Sequence, residues 1–228
     1  MDENEKIKQS VKNLSFNKKI EHYLHYYKWY MIFGAIVLLF AAICLFQCAS
    51  KKDPDAVILY AGTESIAPGY YEYVDDAMSE IMTSDYNKDG YKKADITEII
   101  VYDDKISAAI ASMTEQQQSY QRFQIELSMG QSVIYLLDES IYKGMKDMLV
   151  PLSDILSVVP DCAYDEYGIR ISDLPVYNYT NMKYLPRDGI LCIRKMRENA
   201  VKNDSPDYYE SNVSFFCDIV NWTYEEDR

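Results

Sequence analysis

Histidine is almost missing from this chain. Of 228 residues only His22 and His25 are histidine, and none follows residue 25. That absence removes Ser-His-Asp and Cys-His catalysis from nearly the whole chain, along with any zinc site built on imidazole. Carboxylate, Ser-Lys or tyrosine chemistry survives, but no motif marks it. Cysteine is sparse as well: five in all, with no Cys-x-x-Cys and no metal-type spacing. Cys162, Cys192 and Cys217 form an odd set, open to one disulfide plus a free thiol or to three buried thiols. Positive charge is the third shortage. Residues 51–228 hold 17 of the 23 Lys and Arg but 32 of the 36 Asp and Glu, a net charge of −15. Such a surface argues against nucleic acid or anionic lipid as the main partner, and it also keeps a secreted domain soluble. There is no internal repeat and no low-complexity tract.

One long apolar run is present. Trp29 to Ala49 is 21 residues in which Gln47 is the only strongly polar side chain. At helical rise it spans roughly 31 Å, the thickness of a bilayer's hydrocarbon core. A cleaved signal is expected to have a shorter core and a small-residue cleavage site. Here 28 residues precede the run, and Gln47 and Ile43 are bulky neighbours for Cys48 and Cys44. The run therefore reads as a permanent anchor in the lipid bilayer. Lys12, Lys18, Lys19 and Lys28 precede it and only Lys51 and Lys52 follow closely, which predicts a cytoplasmic N-terminus. Tyr26, Tyr27, Trp29 and Tyr30 suit an interfacial aromatic belt. The expected layout is a short cytoplasmic tail over 1–28, a single plasma-membrane span over 29–49, a linker over 50–55 and an extracytoplasmic domain over 56–228.

Beyond the linker, apolar runs alternate with helical spacing. Ala56–Ala61 predicts a strand buried on both faces, ended by Gly62. Pro68 opens a helix whose Tyr71, Val74, Met78, Ile81 and Met82 recur at three and four. Ile96–Tyr102 predicts a second strand. Thr114 is the expected cap of a helix carrying Tyr120, Phe123 and Leu127, stopped by Gly130. Ser132–Leu137 predicts a third buried strand, with a helix starting at Asp138-Glu139-Ser140. Residues 160–188 look irregular, with a possible edge strand near Ile169–Ile171. Gly189–Met196 predicts a last strand, and Ser205-Pro206 a last helix with Val213, Phe216, Cys217 and Val220 on its apolar face. The fold class is α/β: one N-terminal transmembrane helix, then a single domain with a mostly parallel sheet flanked by helices.

In such sheets ligands bind beyond the carboxyl ends of the strands. Those ends carry Gly62-Thr63-Glu64, Tyr102-Asp103-Asp104 and Asp138-Glu139. The candidate ligand-binding residues are therefore Glu64, Asp103, Asp104, Asp138 and Glu139, in a crevice suited to a cation, an amine or a basic segment. Solvated caps and turns would give the same residues. Asp85-x-Asn87-x-Asp89-Gly90 resembles the opening of a calcium loop, which makes Asp85, Asn87 and Asp89 candidate metal ligands. Lys93 and Ile96 stand where that pattern needs further oxygens, so a plain Asn/Asp/Gly turn competes. Calcium is the one cofactor the sequence suggests. Arg187, Arg194, Lys195 and Arg197 form a local basic cluster. Asn178-Tyr179-Thr180, Asn212-Val213-Ser214 and Asn221-Trp222-Thr223 are glycosylation sequons in a host that glycosylates.

Residues 122–138, RFQIELSMGQSVIYLLD, resemble a segment of extracytoplasmic solute-binding proteins in which a helix ending in Gly precedes a strand. Leu149-Val150-Pro151-Leu152-Ser153-Asp154-Ile155-Leu156 resembles the stretch that follows there. The layout also resembles single-span membrane proteins of Gram-positive bacteria that carry a small outer domain. The resemblance implies a lobe that binds a small solute, here a single reduced one, without catalysis. The competing classes are an accessory subunit of a membrane transport or secretion complex, and a carboxylate-dependent enzyme.

Overall fold

The computed structural model describes residues 16–50, 53–102, 112–129, 132–196 and 205–224. The chain divides into two compact units, Met1–Lys52 and Asp53–Arg228. The first is one helix, α1 (Phe16–Ser50), broken in its regularity at Tyr27, where φ −110° and ψ 15° leave helical values. From Tyr27 to Gln47 it is long and apolar enough to cross a membrane, two residues earlier than the sequence suggests, and none of that stretch is buried by protein.

The second unit contains β1 (Ala56–Gly62), α2 (Tyr71–Ile81), β2 (Ala94–Ile100), α3 (Met113–Met129), β3 (Ile134–Leu137), α4 (Glu139–Met145), β4 (Gly168–Arg170), α5 (Pro175–Tyr179), β5 (Ile190–Ile193) and α6 (Pro206–Asn221). The sheet order is β2-β1-β3-β5-β4. β1 is parallel to both β2 and β3, while β5 is antiparallel to β3 and to β4. Four strands thus share one direction and β5 runs against them, so the sheet is mostly parallel.

Strand periodicity sorts the side chains into two layers. Ile58 and Tyr60 of β1 face Val74, Ala77, Met78 and Ile81 of α2 and Phe215, Phe216, Ile219 and Val220 of α6. Leu59 and Ala61 face Phe123 of α3 and Tyr142 and Met145 of α4. Every residue of β1 is buried, as its unbroken apolar run predicts.

Several boundaries differ from the expected ones. β2 begins two residues early because Asp55 clamps its entry. The Asp55 N–H donates to Lys93 O (2.7 Å), and its carboxylate accepts from Lys93 N (2.9 Å) and Asn87 N (2.7 Å). Pairing then runs from Ala56 opposite Ala94. Asp55 is buried, so the packed unit already includes the end of the expected linker. The cap of α3 is Ser112 rather than Thr114. Ser112 Oγ accepts from Glu115 N (3.2 Å) while the Glu115 carboxylate accepts from Ser112 N (2.8 Å), a reciprocal capping box. β5 is also shorter than expected, at four residues. The cap of α6 is Ser205, as expected, accepting from Tyr208 N with Pro206 in the first turn.

Candidate functional site

The strand order creates the site. Between β1 and β2 the chain passes through α2 on one face, and between β2 and β3 through α3 on the other. The chain therefore leaves β1 toward one layer and leaves β3, through α4, toward the opposite layer. Neighbouring strands whose exits diverge leave a crevice between their carboxyl ends. A cleft of about 650 Å³ opens there, lined by Thr63, Glu64, Asp138, Glu139, Ser140, Arg170, Pro186 and Asp188. Glu64, Asp138 and Glu139 come together in it. Asp103 and Asp104 lie outside the described residues.

The floor of the cleft is a clamp between the two strand ends. Thr63 donates to Asp138 Oδ2 through its N–H (2.6 Å) and its hydroxyl (3.0 Å). The Tyr60 hydroxyl donates to Glu64 O (2.8 Å) and sits 3.5 Å from Asp138 Oδ1. Burial, reinforced by the charges of Asp138, Glu64 and Glu98, drives the Tyr60 phenol far above its ordinary pKa, so it stays a donor. Gly62 makes the close approach possible, since a Cβ there would stand 2.4 Å from Asp138 Oδ1 and 2.3 Å from Tyr60 Oη. Asp138 precedes α4 but makes no side-chain cap to it. Its carboxylate is spent on Thr63 instead.

The wall of the cleft is an ion network that sequence reasoning missed. Arg170, at the end of β4, pairs with Asp188 (3.0 Å) and with Glu139 (3.7 Å). Its guanidinium lies 5.2 Å from the Tyr164 ring centroid, a cation–π arrangement. Glu139 also pairs with Lys143 one turn on, at 2.5 Å. The Lys143 ammonium, then Tyr164 and Arg170, hold the Glu139 carboxyl below the usual carboxylate range. Three of the four cleft carboxylates therefore have fixed partners. Among the described residues the exposed Glu64 side chain has none. Nothing in the sequence around Arg170 marks it, because its place depends on β4 pairing with the reversed β5.

The Asp85–Gly90 loop folds as a chain of turns. The Asp85 carboxylate accepts from Lys88 N (2.7 Å) and Gly90 N (2.8 Å), Asn87 Oδ1 from Asp89 N (2.9 Å), and Asp89 Oδ1 from Tyr91 N (2.9 Å). Lys88 and Gly90 adopt positive φ, 60° and 89°. Four side-chain oxygens of the loop thus accept backbone amides, which hold its turns in place. Among the described residues no cluster of three His, Cys, Asp or Glu is arranged to hold a metal.

Within the basic cluster Arg194 turns inward. Arg194 is buried, donating from Nε to Ser132 O (2.9 Å) and from NH1 to Lys195 O (3.1 Å). Lys195 reaches Asp147 O, Arg187 is exposed, and Arg197 lies outside the described residues. Cys162, Cys192 and Cys217 are free thiols. Burial raises the pKa of all three. Of the sequons, Asn212 is buried on α6, while Asn178 and Asn221 are exposed. Comparison with known proteins finds no match among family models, curated proteins or solved structures.

Proposed function

We propose that the chain is a membrane-anchored, extracytoplasmic binding module that holds a small solute in the cleft between the ends of β1 and β3 and does no chemistry on it. In this reading α1 is a single-pass span with a cytoplasmic N-terminus, and residues 53–228 work outside the cell. The observation that carries it is the cleft: a concave, polar-lined space of ligand size at the place where open α/β sheets bind ligands. The apolar stretch of α1, exposed all round, supports the anchor. The resemblance of residues 122–138 to solute-binding proteins points the same way. Two measurements test the reading. Protease added to intact cells should remove the C-terminal unit, and protection would reverse the topology. Thermal-shift screening of the full chain in detergent against sugars, amino acids, polyamines and metal ions should give a stabilising ligand class.

A second reading is supported by α3, which buries only Phe123 and exposes Met113, Tyr120, Ile125 and Met129. Of these, Ile125 and Met129 lie one turn apart and form one exposed apolar patch, which suits a protein partner, as in an accessory subunit of a membrane transport or secretion complex. A flat ligand screen together with specific co-purification of one membrane complex would favour it.

A further inference from the structure

We infer that the solute is an organic amine carrying two or more protonated nitrogens, held between Glu64 and Asp138 at the ends of β1 and β3. This rests on the binding reading above and adds the ligand class.

The charges of the cleft do not balance. Four carboxylates line it, Glu64, Asp138, Glu139 and Asp188, against one guanidinium, Arg170. Arg170 answers Asp188 at 3.0 Å, and Lys143, one turn on in α4, answers Glu139 at 2.5 Å. Glu64 and Asp138 are left over. Asp138 is well hydrogen-bonded, but its donors are the Thr63 N–H and hydroxyl. Neutral donors steady a carboxylate without cancelling its charge. Both of those bonds fall on Oδ2. Oδ1 has the Tyr60 hydroxyl 3.5 Å away, and that proton is already given to Glu64 O at 2.8 Å. The Glu64 side chain is exposed and has no partner among the described residues. The two acids are also neighbours in the fold. Leu137 pairs with Ala61, so Asp138 stands abreast of Gly62, two residues before Glu64. Two unanswered like charges on one cleft are relieved by a ligand that brings positive charge.

The same residues select against other classes. Helix α4 begins at the cleft with its own acids, Glu139 in its first turn and Asp138 just before it. The positive end of that helix is already answered, and an anion would meet carboxylates there. An anion at Arg170 would have to displace Asp188 or Glu139. A bare metal ion needs several converging ligands, and among the described residues no group of three His, Cys, Asp or Glu is arranged to hold one. At about 650 Å³ the cleft is also sized for a molecule rather than an ion. An ammonium group gives three N–H donors and accepts none. The Glu64 carboxylate, Asp138 Oδ1 and the Ser140 hydroxyl are acceptors for it. Pro186 and the methylene stems of Arg170 and Glu139 leave part of the lining apolar, which suits the hydrocarbon chain between two amine nitrogens.

The test is calorimetric titration of the full chain in a zwitterionic detergent with putrescine, spermidine, N-acetylputrescine, calcium and succinate. Putrescine or spermidine should bind, and N-acetylputrescine, which has lost one charge, should bind about tenfold or more weaker. Glu64→Gln keeps the size of the side chain and removes its charge, and it should weaken the amine about tenfold or more. Glu64 is exposed, so that variant should unfold with the parent. Glu210→Gln removes an exposed acid of α6 outside the cleft lining and should change amine affinity by less than about twofold. Equal losses in the two variants would mean diffuse attraction to an acidic surface and would overturn the assignment. So would N-acetylputrescine binding as tightly as putrescine. Binding of calcium or succinate without either amine would overturn the amine and leave a binding cleft standing. Absence of amine binding beside a hit of another class in the wider thermal-shift screen would do the same, and a flat screen would remove the module reading with it.

Discussion

The two faces of the sheet are built unequally. Among the described residues, 27 buried ones form one continuous cluster on the side of α2 and α6, and 11 on the side of α3 and α4. α6 contributes Phe215, Phe216, Ile219 and Val220 to the thick face, whereas α3, one residue longer, contributes only Phe123. The thick face therefore holds the unit together. The thin face carries exposed apolar residues along α3 and the Tyr164–Arg170 contact behind the cleft wall. This asymmetry predicts unequal costs for the same substitution. Phe216→Ala should destabilise by about 3–5 kcal/mol, the range for a fully buried phenylalanine. Phe123→Ala should cost about half as much, because few buried neighbours surround it. Denaturant unfolding of both variants in detergent measures the difference, and equal losses would break the comparison.

The cleft sits on the seam between the faces, and beside it Gly62 lets Tyr60 and Asp138 approach the backbone closely. Gly62→Ala would force a methyl group against both Tyr60 Oη and Asp138 Oδ1. The expected cost is about 1–3 kcal/mol as β1 and β3 shift apart, together with loss of ligand binding. A variant that keeps full stability and full affinity would show that the clamp is not what shapes the cleft. Farther out on the thin face, Ser112→Ala removes half of the capping box of α3 and should cost about 1 kcal/mol. If α3 is only lightly held, that loss should appear as faster amide exchange over residues 113–129 before it appears in global unfolding.

Much of this was legible in the sequence, and the reasons are local. The continuous run Ala56–Ala61, short and ended by Gly62, suits a strand buried on both faces, and Pro68, Ser205 and Pro206 mark helix starts through backbone chemistry alone. The Ser-x-x-Glu pattern at Ser112 was equally readable, but Thr114 nearer the apolar positions drew the cap two residues too far. The site was half legible. Glu64, Asp138 and Glu139 follow from where parallel strands end. Arg170 and Asp188 do not, because they meet only when a reversed strand brings two irregular segments together, and no local spacing encodes that pairing. Arg194 misled for a related reason: charge in a sequence says nothing of burial, and its guanidinium turns inward to backbone carbonyls.

The smallest expected effect concerns the free edge of the sheet on the thick face. β2 is an outer strand, and outer strands need their unpaired amides occupied. α2 supplies polar groups to this edge: Ser79 Oγ takes the Ala94 N–H at 3.3 Å, and the Asp75 carboxylate lies near the Ile96 amide. Burial, and then the charge of Asp95, raise the Asp75 carboxyl from 3.8 to about 6, against the opposing pull of Lys93 and the Ile96 amide. The folded state therefore binds this proton more tightly than the unfolded chain does. A group shifted upward favours the fold below its folded pKa, so stability from Asp75 grows as pH falls from 7 toward 5 and declines as pH rises through 6. Asp75→Asn keeps an oxygen for Ile96 and removes the buried charge. It should stabilise the chain at pH 7 by about 1 kcal/mol, less than the full shift implies because the side chain is only half-buried. At pH 5 the advantage should have fallen by about half, and it should vanish only below the unfolded-state value of 3.8. Unfolding of wild type and variant between pH 5 and 7.5 isolates this one group from the many other acids. A difference that stays constant with pH would mean that Asp75 is not the titrating clasp of the edge.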